Sequence, residues 1–118
     1  MIGGKTLALK KCKPCEKGAP ALTEDKAREY LNVLPAWVLS GDGKCIVRNY
    51  VMKDFSSAVR FIERIAEVAE AEDHHPDLHL TGYRKLTVEL ATHSIGGLSE
   101  NDFILAAKIE ELPKELKP

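Results

Sequence analysis

The stretch from Asp54 to Glu72 constrains the fold more than any other part of the chain. Phe55, Ala58, Val59, Ile62, Ile65, Ala66 and Ala69 recur at the i, i+3, i+4, i+7 spacing of an amphipathic helix. Glu63, Arg64, Glu67 and Glu70 fall on the opposite side. Asp54 is placed to cap the helix. Pro76 pushes His75 out of the α region, so the helix should end near Glu72. Its apolar stripe requires a surface to cover, and strand-patterned segments on both sides provide a sheet.

Before it, Trp37–Ser40 and Cys45–Val51 are β-rich runs around Gly41-Asp42-Gly43-Lys44, which predicts a hairpin. After it, Leu86, Val88 and Leu90 alternate with Thr87, Glu89 and Ala91, the pattern of a strand with one buried face. A shorter strand near Leu78–Thr81 and a turn near Gly82–Lys85 complete a second hairpin. Thr23 with Glu24 and Asp25 predicts an earlier helix, with Ala27, Tyr30, Leu31 and Leu34 on one stripe and a stop at Pro35. Ser99, with Asp102 three residues on, marks the N-terminus of a last helix that Pro113 closes. The predicted order is α-β-β-α-β-β-α. That is an α+β fold, a four-stranded antiparallel sheet with three helices on one face, in one domain over residues 23–118. Residues 1–22 sustain neither period and are expected to be an N-terminal arm, ordered only if something holds it and dispensable for activity.

Composition excludes several roles. Seventeen Lys and Arg against eighteen Asp and Glu give a net charge of −1, unlike a general binder of nucleic-acid backbones. No apolar run approaches the ~18–20 residues of a membrane span. Met1-Ile2-Gly3-Gly4-Lys5 lacks the apolar core of a signal peptide, and three cysteines suit a reducing compartment. A soluble, cytoplasmic protein is expected. A domain this thin would gain from oligomerisation, and a homodimer or homotetramer is expected. Cys12-Lys13-Pro14-Cys15 is a lone CxxC, compatible with unpaired thiols, with a metal site shared across subunits or with redox chemistry.

All four histidines lie in one window: His74, His75, His79 and His93. Histidine suits proton transfer because its unperturbed pKa, about 6.5, is near cellular pH. Antiparallel pairing about a turn centred near Tyr83–Arg84 brings His93 opposite the His74 region, so three imidazoles are expected to converge at one end of the sheet. His79, alternating with apolar neighbours, reads as a surface residue. No HExxH or paired CxxC pattern accompanies them, and no metal is expected.

Asp73-His74-His75-Pro76, Tyr83, Thr92-His93, Gly97-Leu98-Ser99-Glu100 and Asp102 resemble the pterin-4a-carbinolamine dehydratase family, and the likeness covers about residues 23–112. The resemblance implies removal of water from a 4a-hydroxytetrahydropterin to give quinonoid dihydropterin, with no metal or organic cofactor. It implies His74, His75 and His93 as catalytic residues. Glu72, Asp73, Pro76 and Thr92 would be substrate-binding, with Asp73 a candidate for orienting a histidine. His74 and His93 are expected to act directly, and His75 to bind and orient. Asp102 falls on the family's motif and also reads as a helix cap. Leu78 stands where many members carry an aromatic residue, and the spacing from Pro76 to His93 is one residue longer than in animal members. The rival readings are a protein-interaction and dimerisation module, which the animal members also serve, and a dehydratase of another pterin such as a molybdopterin-related one.

Overall fold

A computed structural model describes residues 4–14 and 19–118. The chain runs α1 (Gly4–Leu9), α2 (Glu24–Leu31), β1 (Val38–Leu39), β2 (Ile46–Val51), α3 (Phe55–Glu72), β3 (Asp77–Thr81), β4 (Lys85–Leu90), a 3₁₀ turn (His93–Ile95) and α4 (Glu100–Glu111). The four strands form one antiparallel sheet in the order β1-β2-β4-β3. The two hairpins are therefore joined through their second strands, β2 and β4.

Alternation decides which face of the sheet is covered. Ile46 and Tyr50 of β2 and Leu86, Val88 and Leu90 of β4 are buried. On the other face Asn49 sits directly opposite Thr87 and accepts a hydrogen bond from its hydroxyl. Helix α3 begins at Asp54, whose carboxylate accepts the Ser57 N–H, and lays Ala58, Phe61, Ile65 and Ala69 on the core. Phe61 meets Tyr50 edge-on at 5.0 Å.

The turn between β3 and β4 centres on Tyr83, half a residue from the predicted point, since Leu80 pairs with Leu86 and Thr81 with Lys85. Gly82 and Tyr83 take positive φ there.

The N-terminal segment departs from expectation. Residues Gly4–Leu9 form a helix, and Leu7 is buried in the same core as Phe103, Leu105 and Trp37. A six-residue helix has no stability of its own in water, so packing holds it. What it packs on is α4. Lys108 Nζ donates to the Ala8 carbonyl at 2.6 Å, and Lys10 Nζ reaches Glu100 Oε2 at 3.0 Å. Helix α4 is consequently buried nearly all round, from Asn101 to Ala107 and again at Ile109. The expectation that residues 1–22 are dispensable does not fit a segment that completes the core.

Candidate active site

Helix α3 ends in a Schellman motif. Asp73 takes the left-handed conformation (φ 51°, ψ 42°), its N–H reaches the Glu70 carbonyl, and the His74 N–H reaches back to Ala69 at 3.1 Å. An Asp tolerates this conformation at little cost. The motif fixes the main chain at His74, which Pro76 then carries into β3. The His74 side chain, 12 % exposed, turns toward α4.

There it meets Asp102. His74 Nε2 lies 2.6 Å from Asp102 Oδ1. The carboxylate can only accept, so Nε2 carries the hydrogen and Nδ1 is left as the basic nitrogen. Asp102 is fully buried, and its other oxygen accepts the Thr92 hydroxyl at 2.8 Å and the Ser99 N–H at 3.0 Å. Because the Thr92 hydrogen goes to Asp102, Ser99 Oγ donates to Thr92 Oγ1 at 2.7 Å. Among the described residues no buried side-chain nitrogen or oxygen lacks a partner. The carboxylate that orients His74 is thus Asp102, where the sequence pointed to Asp73.

Thr92 is held by the glycine turn that follows it. Its N–H donates to the Gly97 carbonyl at 2.8 Å, and Gly96 adopts φ 66° to close the 3₁₀ turn. Gly97 must be small, since a Cβ there would stand 2.8 Å from that of Ala21.

Glu72, Asp73, His74, Thr92, Ser94 and Asn101 line a cavity of about 420 Å³, together with Cys12, Lys13 and Pro14. His93, exposed on the 3₁₀ turn, opens instead onto an adjoining cavity of about 300 Å³ with Lys44, Asp77 and Glu89. Thr92 lines both. His75 is 56 % exposed, pairs with Glu70 at 3.1 Å and lines a third hollow with Pro76 and Leu78. The expected convergence of three imidazoles is therefore not what a single chain shows. His74 and His93 flank Thr92, while His75 and Pro76 face elsewhere. His79 is exposed beside Glu89.

The sequence gave no warning of Cys12, Asn101 or Ser94 in the cavity wall. Burial, reinforced by the neighbouring Glu72 carboxylate, pushes the Cys12 thiol up to about 12. At neutral pH it is protonated and is not a thiolate nucleophile or ligand. Cys15 lies outside the described residues. Among the described residues no three His, Cys, Asp or Glu side chains group as metal ligands would, and no helix is long and apolar enough to cross a membrane.

The sequence profile described as pterin 4 alpha carbinolamine dehydratase matches residues 20–112. The chain belongs to this family. It is 46% identical over 112 residues to the Arabidopsis thaliana protein named pterin-4-alpha-carbinolamine dehydratase 2, mitochondrial, covering 92% of this chain and 60% of that one. A Halorhodospira halophila protein, provisionally named a pterin-4-alpha-carbinolamine dehydratase, is 45% identical over 91% of this chain and 97% of its own length. Since only six residues follow Leu112, both matches extend into the segment before residue 20. A solved Brucella melitensis structure described as a transcriptional coactivator/pterin dehydratase superposes with a TM-score of 0.72 at 38% identity, covering 76% of this chain and 95% of that one. Membership in the dehydratase family supports a dehydratase function on pterins.

Proposed function

We propose that this chain dehydrates a 4a-hydroxytetrahydropterin, such as 4a-hydroxytetrahydrobiopterin, to the quinonoid dihydropterin. The observation that carries the reading is the 2.6 Å hydrogen bond from His74 to the buried Asp102, set in the wall of a cavity half polar in character. In a carbinolamine one carbon bears both a hydroxyl and a ring nitrogen. Dehydration breaks the C–O bond, forms a C=N bond from the nitrogen's electron pair, and transfers two protons: one from the nitrogen, one to the departing oxygen.

His74 is the base of this reading. Asp102 holds the tautomer that leaves Nδ1 free, and its negative charge favours the imidazolium formed when Nδ1 takes the proton. His93, across Thr92, delivers the proton with which the hydroxyl leaves as water. Each such group is worth ~10²–10⁴-fold. Glu72, Asp73 and Thr92 line the cavity where the ring would bind. His75, outside it, keeps an orienting role only if the substrate or a second copy of the chain reaches that side.

The test generates 4a-hydroxytetrahydrobiopterin with a phenylalanine hydroxylase and follows its ultraviolet absorbance. The wild type should accelerate decay, and His74→Ala and His93→Ala should each lose at least ~10²-fold while keeping the fold. No acceleration by the wild type would move the weight to another pterin or to a binding role.

A further inference from the structure

The cavity beside His74 is closed on one side by a segment that lies outside the matched residues 20–112, namely Cys12-Lys13-Pro14. This strap is stitched to both elements that carry the histidine–aspartate pair. The Cys12 N–H donates to Glu72 Oε1 at 2.7 Å, two residues before His74. Asn101, next to Asp102, binds the Lys13 main chain in both directions: its Oδ1 accepts the Lys13 N–H at 2.9 Å and its Nδ2 donates to the Lys13 carbonyl at 2.5 Å. The Cys12 thiol adds a long contact to the Asn101 carbonyl at 3.6 Å. Asn101 is 7 % exposed, so these bonds form largely out of water, where each weighs more than at the surface.

Resting on the dehydratase reading above, we propose that the strap is a working wall of the pterin site and that Asn101 is a positioning residue for substrate binding. A planar ring entering the cavity meets Thr92 and His74 on one side and the Cys12–Pro14 main chain on the other. Fastening that main chain beforehand spares the substrate the entropy of ordering it. The strap touches neither His74 Nε2 nor Asp102 in any hydrogen bond, so loosening it weakens binding and leaves the proton-transfer groups in place.

The experiment compares wild type, Asn101→Ala and Cys12→Pro in the dehydration assay. Cys12→Pro deletes the N–H given to Glu72 and leaves α4 untouched, which covers the case of an Asn101 variant that folds poorly. Both variants should raise KM about tenfold with kcat within about threefold, because uniform binding is what is lost. In parallel, hydrogen exchange of the peptide spanning residues 10–14 is read with and without 7,8-dihydrobiopterin, whose binding is followed by fluorescence. The bound pterin should slow exchange of the strap in the wild type. Wild-type turnover and pterin binding with an unprotected strap and an unchanged KM in both variants would overturn the inference alone. A wild type that neither binds 7,8-dihydrobiopterin nor accelerates dehydration would overturn the dehydratase reading and this inference with it.

Discussion

Asp102→Asn separates two jobs that one residue holds. Asp102 caps α4 by accepting the Ser99 N–H, and it orients His74. An asparagine that turns its oxygen toward Thr92 and Ser99 keeps both of those bonds. Its NH₂ then faces His74 Nε2, which must become the acceptor, so the ring hydrogen moves to Nδ1. The cavity then meets a donor where the reaction needs a base. Losing that base should lower kcat by two to four decades, or roughly 2.7–5.5 kcal/mol of barrier at ~1.36 kcal/mol per decade. The stability cost should be much smaller, about 1–2 kcal/mol, since charge-assisted bonds become neutral ones and no donor is stranded. Asp102→Ala is the contrast. It strands the Ser99 and His74 N–H groups in a site with no exposure, and about 3 kcal/mol or more should be lost. Initial rates of dehydration and thermal melts of both variants check this. An Asp102→Asn protein that melts well below the wild type yet turns over within about threefold of it would mean that Asp102 is a cap and no more.

Three further outcomes are expected. Leu7→Ala should cost about 2–5 kcal/mol and lower the melting temperature by more than ~8 °C, because Leu7 is wholly buried; a shift under ~2 °C would show that α1 is an appendage. Gly97→Ala forces its Cβ against that of Ala21, so it should cost ~1–3 kcal/mol and reduce dehydration through Thr92 and His93, read by melts and initial rates. Glu110 concerns pH: burial opposes its charge, but hydrogen bonds from Tyr50 (2.7 Å) and Arg48 (2.9 Å) prevail and hold the carboxyl below its ordinary range. A depressed pKa gives stability that is present above the ordinary value and lost as pH falls through the folded one, so below about pH 4.3 the wild type should lose melting temperature faster than Glu110→Gln.

The parts of the fold that the sequence announces are those specified locally. The α3 stripe, the alternation in β4 and the Pro76 stop each lie within a few residues of what they determine. Helix α1 was not legible because six residues are too few to show a period. Its trace lay elsewhere, in α4. Phe103, Ile104, Leu105, Ala106, Ala107 and Ile109 are apolar all the way round, which a helix covered on one side only does not need. At the site, Asp102 was readable as a cap because Ser99 is three residues away. Its bond to His74 spans 28 residues and leaves no local mark. Adjacency misled in the other direction. His74 and His75 are neighbours in sequence, but past the Schellman turn one points inward to Asp102 and the next outward to Glu70.

The placement of Asp102 also decides where the proton rests during turnover. When His74 accepts a proton at Nδ1, the pair becomes an imidazolium facing a carboxylate in a site without water on the carboxylate side. In an apolar interior such a pair tends to neutralise, with the proton passing to the carboxyl. Here the carboxylate sits in the first turn of α4, where unsatisfied backbone N–H groups and the helix dipole favour negative charge. It also holds the Ser99 N–H and the Thr92 hydroxyl, two bonds that a charged acceptor makes stronger. Those donors keep Asp102 ionised and the proton on the imidazole, which can then give it up to solvent or product. The same bonds that begin the last helix therefore set the chemistry of the ring at the end of α3.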